Sequence, residues 1–312
     1  MLLIAPLLCS AALAAPDYGP LMARTQAPLQ SGSLSPRFQD ASHAGARDRE
    51  FHASATVASV WADDPEYQLD YYQNDVSLGY SRPLWQGWRI EASFLHRFVG
   101  NNRLDSLTKA FHDTFGLSQN GRDEVGKHQS TISVPDAGID FRHFNGKTLD
   151  NVYQLYLEQS LYQGQRSALS WGLSLHLNEV SSGPFEKSSF EQGVQLNYQR
   201  RYGDKHRLYG LAAVVHKSDT DLAGIALRDW TWNAGIGYQY QSSHNHAWLA
   251  EYQVHKGEAV DLGQLSELVH EFMLGYRYHM AKGAIEFVVI ENLVNHDNST
   301  DIAFTLGYRR RF

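Results

Sequence analysis

Residues 230–240 read WTWNAGIGYQY, and this stretch decides the fold class. Side chains on an extended strand alternate between two faces. The apolar face would carry Trp230, Trp232, Ala234, Ile236, Tyr238 and Tyr240. The opposite, small or polar face would carry Thr231, Asn233, Gly235, Gly237 and Gln239. Aromatic residues at both ends of the apolar face match the two interfacial girdles of a transmembrane β-barrel, so the stretch predicts a strand with one face toward lipid.

The same division recurs along the chain. It is clear in residues 88–98, 153–161 and 169–176, and at the C-terminus Phe304, Leu306 and Tyr308 oppose Thr305, Gly307 and Arg309. Further strands are predicted near residues 51–61, 72–80, 194–201, 208–216, 248–255, 268–278, 285–291 and 302–312. These segments predict an all-β fold: an antiparallel transmembrane β-barrel of about 12 strands (12 to 14) with one short loop helix. A sheet in lipid must close, because hydrocarbon offers backbone amides no partner.

The composition agrees with a barrel and excludes other classes. The mean hydropathy is −0.42, and no stretch after the N-terminus has the length of apolar sequence that a helical membrane span needs. Alternating lipid-facing and lumen-facing residues average to such a value. The net charge of −7 gives no basic footprint for nucleic acid.

The connections predict the orientation of the strands. If the last strand runs toward the periplasm, the connections near 83–87, 163–166, 203–206, 242–246 and 280–283 are all periplasmic, and all are short, as such turns are. The longer connections then lie outside. Residues 130–151 leave three alternatives open: a loop, an outer extension of the following strand, or an extra hairpin that raises the strand count to fourteen.

The N-terminus is expected to direct export. Residues 1–14 form an apolar run that ends in Ala12-Leu13-Ala14, which predicts a signal peptide. Cys9 is the only cysteine, so the mature chain would have no disulfide; acylation of Cys9 is disfavoured because Leu8 precedes it. Residues 15–49 are rich in Pro, Ser, Ala and Gly and predict a segment without regular structure, followed by the barrel over residues 50–312.

One helix is predicted in the loop near residues 100–129. Leu104, Leu107, Phe111 and Phe115 recur at spacings of three and four, and Gly116 can end a helix over 104–117. This helix would either plug the barrel or lie over its mouth.

Three blocks resemble a Gram-negative outer-membrane family of unknown function: residues 19–30, 111–125 and 136–143. The central block carries His112, Asp113, Phe115, Gly116, Leu117, Gly121, Arg122 and Asp123. A Gly-x-Gly-Asp element of the family is altered here to residues 137–140, Ala-Gly-Ile-Asp. The resemblance implies an outer-membrane barrel and no established activity. The C-terminal Phe312 also resembles the signal that barrel-assembly machinery reads, although Arg310 stands where an apolar residue is usual.

Two sets of charged residues are candidate sites. His112, Asp113, Arg122 and Asp123 would form a ligand site or, as Arg–Asp pairs more often do, fix a loop. Inward-facing charges predict a lumen lining, either selective for ions or mutually neutralised, at Arg89, Glu91, Arg97, Glu158, Glu251, Glu271, Arg277, Glu286 and Arg309.

The functional expectation is a passive channel or transporter for a small solute or apolar compound. The alternatives are an outer-membrane lipid-modifying hydrolase and a structural barrel with a filled lumen. A hydrolase is disfavoured because His96 and His270, on outward faces, lack a nearby serine on the same face. No metal site or cofactor is expected, because the histidines do not show the spacing of metal ligands. The expected surroundings are outer-membrane lipid and lipopolysaccharide, with the chain a monomer.

Overall fold

The computed structural model describes residues 17–101, 104 and 130–312. Within them, twelve strands form a closed antiparallel barrel, as the alternating sequence predicts. In chain order the strands are β1 (Glu50–Asp64), β2 (Tyr67–Pro83), β3 (Trp88–Val99), β4 (Thr131–Val134), β5 (Ile139–Arg142), β6 (Thr148–Gln163), β7 (Ser167–Val180), β8 (Lys187–Tyr202), β9 (His206–Lys217), β10 (Asp221–Leu222), β11 (Ile225–Ala226), β12 (Trp230–Gln241), β13 (His246–His255), β14 (Val269–Met280), β15 (Gly283–Val294) and β16 (Ile302–Arg311).

The first and last strands close the cylinder. β1 pairs with β16 from Glu50 opposite Arg311 to Ser59 opposite Ile302, and it pairs with β2 on its other side. Each barrel strand is thus hydrogen-bonded on both edges, which satisfies the backbone in an apolar medium. No helix among the residues described is long and apolar enough to cross a membrane.

The outer surface of the cylinder is apolar. On β12, Ile236 is 69% exposed, whereas Thr231, on the inward face of the same strand, is 6% exposed. The same contrast holds on β16, where Leu306 is exposed and Thr305 is buried. The exposed apolar area on these strands is larger than the apolar patches of ordinary soluble monomers. This surface therefore needs an apolar partner such as lipid.

The two mouths of the barrel differ. One mouth, called here the short-turn mouth, carries the connections 84–87, 164–166, 203–205, 242–245 and 281–282, together with the start of β1 and the end of β16. The opposite long-loop mouth carries the two-residue turn 65–66 and the longer connections, among them 218–229 and 256–268. The short connections expected from the sequence therefore all lie at one end.

Residues 130–151 form an extra hairpin and the outer end of a barrel strand. β4 and β5 pair with each other, and β4 pairs with residues 68–70 of β2 beyond the closed cylinder. β3 pairs directly with β6, so the hairpin does not enter the cylinder and the barrel keeps twelve strands.

The lumen is filled by residues 17–49, called here the luminal segment. It contains no strand, and its regular structure is a single 3-10 turn at Gln30–Gly32, called here the apex. Most of its side chains are buried, including Tyr18, Leu21, Phe38 and Ala41.

Candidate functional site: a filled lumen and an outer cavity

The luminal segment enters and leaves at the same mouth. Asp17 forms an ion pair with Arg207 (2.6 Å) near the short-turn mouth. The apex lies toward the long-loop mouth, where Asn178 donates to the carbonyl of Gly32 (2.9 Å). The chain then returns, and the carbonyl of Asp48 accepts from Arg89 (2.9 Å) close to the start of β1. The segment is thus a folded-back loop inside the cylinder.

The backbone of the luminal segment is hydrogen-bonded by side chains of the wall instead of by a neighbouring strand. Four carboxylates accept its N–H groups: Glu251 from Leu21 (2.7 Å), Glu286 from Met22 (3.1 Å), Glu271 from Gln26 (3.0 Å) and Glu191 from Leu34 (2.7 Å). Buried backbone groups need such partners, and a segment with no strand neighbour must find them on side chains.

Wall donors also bind the carbonyl groups of the luminal segment. These bonds join Arg277 and Arg309 to Pro20 (3.0 and 2.8 Å), Gln73 to Gln26 (2.8 Å), Asn233 to Pro36 (2.7 Å) and Gln195 to Arg37 (3.2 Å). The wall therefore holds both limbs of the loop with donors and acceptors.

An ion-pair network occupies the half of the lumen nearest the short-turn mouth. Arg309 pairs with Glu50 (2.7 Å) and Glu286 (3.4 Å), and Arg277 pairs with Glu286 (2.7 Å). Arg311 pairs with Glu50 (2.6 Å). These groups are nearly inaccessible to water, so each charge depends on its partners for stabilisation.

A second network surrounds the apex and is called here the apex network. Asp150 accepts from Arg97 (2.9 Å), Lys187 (2.5 Å) and Asn178 (2.7 Å). Arg97 also donates to the carbonyl of Ser31. The network therefore ties the apex to β3, β6, β7 and β8 at once.

Glycines of the wall make room for the luminal segment. A Cβ on Gly275 would lie 2.4 Å from Leu21 Cδ2, and one on Gly235 would lie 2.7 Å from the ring of Phe38. Leu21 packs among buried residues of the wall that include Leu249. The fit between wall and segment is thus steric as well as polar.

All nine predicted lumen residues point inward, where they contact the luminal segment or other side chains of the wall rather than an open channel. The structure brings Arg277, Glu286 and Arg309 into one network and Arg97 into the other. Glu91 pairs with Arg37 of the luminal segment (2.6 Å), and Glu158 accepts from Ser170 (2.6 Å).

Sequence reasoning missed several inward groups. Asp75, Asp150, Lys187 and Glu191 contact the luminal segment or its networks. The alternation on β2, where Val76 is exposed and Asp75 is buried, would have identified Asp75. His112, Asp113, Arg122, Asp123 and the helix expected over 104–117 fall outside the described residues, apart from Leu104.

His43, in the luminal segment near the short-turn mouth, lies with its Nε2 3.5 Å from the carboxylate of Asp48.

The outward histidines have partners other than serine. His96 Nδ1 is hydrogen-bonded to Asn151 (2.8 Å), and His270 Nδ1 to the hydroxyl of Tyr252 (2.7 Å). Neither arrangement resembles a nucleophile activated by a base. Among the residues described, no group of three or more His, Cys, Asp or Glu side chains can hold a metal ion.

A cavity of about 280 Å³, called here the outer cavity, opens beneath the long-loop mouth. Its walls are mainly apolar and include Leu69, Leu149, Ile132, Ile139, Phe141 and Phe185. Its floor includes residues 28, 29, 31 and 32 of the luminal segment and reaches Asp150 and Lys187 of the apex network. The cavity therefore ends on the segment that fills the lumen.

Comparison with known proteins gives a family and a fold. The model of a family described as "Protein of unknown function (DUF3187)" matches residues 1–312. No curated protein matches the chain significantly.

Solved structures with a similar fold include outer-membrane channels. The NanC porin has a TM-score of 0.50 at 10% identity, covering 85% of this chain and 100% of that chain. The KdgM porin in complex with disordered oligogalacturonate gives 0.47 at 7% identity, covering 85% and 99%, and the toluene transporter TodX of P. putida gives 0.46 at 10%, covering 87% and 92%. At such identities the likeness to NanC concerns the barrel fold alone.

Proposed function

Since the chain belongs to this family of unknown function, we propose from its structure that it is a bacterial outer-membrane channel whose lumen the luminal segment closes. The apolar outer surface and the closed hydrogen bonding support a position in lipid. The short-turn mouth would face the periplasm and the long-loop mouth the outside, as in other barrels of the outer membrane. A small solute would enter through the outer cavity.

One observation carries the proposal: the luminal segment is held by side chains and has both ends at the same mouth. Leaving the lumen breaks no strand pairing, because residues 17–48 pair with no strand, and only Arg49 exchanges backbone hydrogen bonds with Phe312, next to the fixed start of β1. Because the loop folds back at its apex, its withdrawal does not require the chain to be pulled lengthwise through the barrel. The segment can therefore open the lumen by withdrawing toward the short-turn mouth while Glu50 stays fixed in β1.

The closed state is strongly held, which favours a gate over a permanently open pore. Each hydrogen bond contributes about 0.5–1.5 kcal/mol net, and bonds to charged groups about 1.5–3 kcal/mol. With wall bonds along both limbs, complete withdrawal requires an opposing free energy, such as that of a ligand or partner. Partial displacement at the outer cavity requires less.

The second candidate is a structural barrel with a permanently filled lumen. The ion pairs in both networks favour it, because a lumen whose charges neutralise each other needs no solute. The two candidates differ in whether the intact chain ever conducts.

Conductance in planar lipid bilayers tests the proposal. The full chain is compared with a variant that lacks residues 17–47, whose folding is checked by its altered gel migration before and after heating. A channel predicts brief openings of the full chain and a large steady conductance of the shortened one. If the full chain is as tight as bare lipid in conductance and in solute uptake by liposomes, while the shortened chain conducts, the channel proposal is wrong and the filled structural barrel is correct.

A substitution that weakens the contacts between the wall and the luminal segment gives a second test. Glu286→Ala removes the acceptor of the Met22 N–H and a partner of Arg277. Openings should become more frequent. Phe287→Ala, at the adjacent lipid-facing position, is the matched control and should leave the opening frequency unchanged.

A further inference from the structure

We infer that the outer cavity is a binding site for a small apolar compound that carries no negative charge. This inference rests on the proposed function, for which it supplies the substrate class. It is argued from the size of the cavity, from its walls and from the sign of the charges around it.

The size of the cavity limits the ligand to a small molecule. Its volume is about 280 Å³. Pockets for small molecules range from about 300 to 1,000 Å³, so this cavity is at the lower end of that range. This suits a bicyclic hydrocarbon or a short aliphatic chain and is too small for an oligosaccharide.

The walls favour an apolar and flat ligand. Phe185 lies edge-on to Phe141, which also lines the cavity, and to Phe144, a buried residue outside the lining, with ring centroids 5.4 and 5.2 Å apart. Tyr71 lies 5.9 Å from Phe144. Aromatic walls that hold each other in such contacts are pre-formed, so a ligand gains contact area at low ordering cost.

The hairpin of β4 and β5 gives the cavity a wall of its own. Ile132 and Phe141, which face each other in the hairpin register, both line the cavity. The hairpin is not needed to close the barrel, because β2, β3 and β6 pair without it. This apolar wall therefore lies outside the barrel architecture, where a binding role accounts for it.

The charges around the cavity disfavour an anion. Glu186, Asp219 and Asp221 are exposed on its lining. Among the described residues that line it, Lys187 is the only cation, and its ammonium group is paired with Asp150 at 2.5 Å. A carboxylate ligand would meet three like charges and no uncommitted cation, whereas a neutral ligand or an amine would not be repelled.

The floor of the cavity connects binding to the gate. Leu29 and residues 31 and 32 belong to the luminal segment, so a ligand in the cavity touches the apex directly. A ligand that binds better when the apex is displaced would shift the segment toward the open state. Binding at this position precedes passage through the lumen.

Equilibrium binding of three matched probes tests the inference. Naphthalene, naphthylmethylammonium and naphthoate share one ring system and differ in charge. Each is measured by dialysis against the full chain in lipid nanodiscs, with empty nanodiscs to correct for partition into lipid. We expect saturable binding of naphthalene and of the ammonium compound, and at least tenfold weaker binding of naphthoate.

Variants separate the cavity from the lipid-facing surface. Ile132→Trp fills the cavity and should reduce naphthalene binding at least tenfold, whereas Ile236→Trp, on the lipid-facing surface, should leave it unchanged. The double variant Glu186→Gln, Asp219→Asn should bring naphthoate closer to naphthalene. Equal binding to both tryptophan variants, or naphthoate bound as tightly as naphthalene by the unaltered chain, would overturn the inference.

The outcomes also distinguish this inference from the proposed function. Binding is measured on the closed protein and needs no conduction. Binding without conductance or uptake by the full chain would leave the site in place and overturn the channel. Conductance of the full chain without saturable binding of naphthalene would leave the channel in place and overturn the site.

Discussion

Gly275 shows how one missing side chain shapes the lumen. It faces inward on β14, and a Cβ there would lie 2.4 Å from Leu21 Cδ2. We expect Gly275→Val to push the first limb of the luminal segment from the wall, at a cost of about 1–3 kcal/mol in the free energy of unfolding. The measurement is trypsin cleavage after Arg24, which should accelerate together with channel opening.

Two controls identify the cause of that effect. Leu274→Val, at the exposed neighbouring position, should change neither the cleavage nor the conductance. Adding Leu21→Ala to Gly275→Val should restore slow cleavage, because it removes the clashing atoms. Failure of this second substitution to restore it would mean that Gly275 acts on the strand rather than on the segment.

Asp150 is the residue on which the apex network depends. It is 3% exposed and is hydrogen-bonded to Arg97 and Lys187. Asp150→Asn leaves two buried or half-buried cations with one carboxylate fewer, so we expect the free energy of unfolding to fall by about 3 kcal/mol. Urea unfolding followed by tryptophan fluorescence measures it.

Asp140 provides the comparison for Asp150. Its carboxylate pairs with Arg142 (2.9 Å), but the side chains are 56% and 65% exposed. Exposed pairs contribute about 0–1 kcal/mol, so Asp140→Asn should have little effect. Equal losses in the two variants would show that the apex network contributes no more than a surface pair.

At the scale of elements, the sequence predicts the barrel well because lipid imposes the alternation. The residues 230–240 show both faces of β12 without any knowledge of its neighbours, since each outward residue meets hydrocarbon. The inward charges Glu251 and Arg277 were predictable for the same reason. Their partners were not, because the hydrogen bonds that position the luminal segment are made by wall side chains from distant strands.

The luminal segment therefore lacks a periodic signal of its own. Leu21, Leu34 and Phe38 are among its buried apolar residues, but a single pair four residues apart, with Leu21 thirteen residues before it, does not make a repeated helical or strand pattern. Its position depends on glycines and carboxylates of strands more than a hundred residues away, such as Glu251 with Leu21. Such a segment is recognised only when the inner wall is assembled.

The β4–β5 hairpin is an element that can be removed. The N–H of His143 donates to the carbonyl of Ser130 (2.8 Å), so the two ends of the hairpin are adjacent. Replacing residues 131–142 with a short Gly-Asn link should leave the barrel folded and abolish saturable naphthalene binding. Circular dichroism and the dialysis measurement check both parts, and a barrel that fails to fold would show that the hairpin supports β2.

At the scale of the whole molecule, the barrel and its filling are two bodies joined at one point. β1 begins at Glu50, and from there back to Asp17 all wall contacts are noncovalent. A tether of this kind raises the effective concentration of the segment but does not create the contacts. The contacts should therefore also form when the segment is supplied as a separate peptide.

This separation predicts that a peptide closes the barrel. A synthetic peptide of residues 17–47, added at the short-turn side of the chain that lacks those residues, should block its steady conductance, because Glu251, Glu286 and Arg309 offer the same partners. A peptide of the same composition in scrambled order should block far less. Addition at the opposite side should also act weakly, because the apex, and not the two ends, must lead the loop into the lumen. Equal block by both peptides would mean that the wall does not distinguish the sequence of the segment from a scrambled one. Equal block from both sides would mean that the apex does not have to enter first.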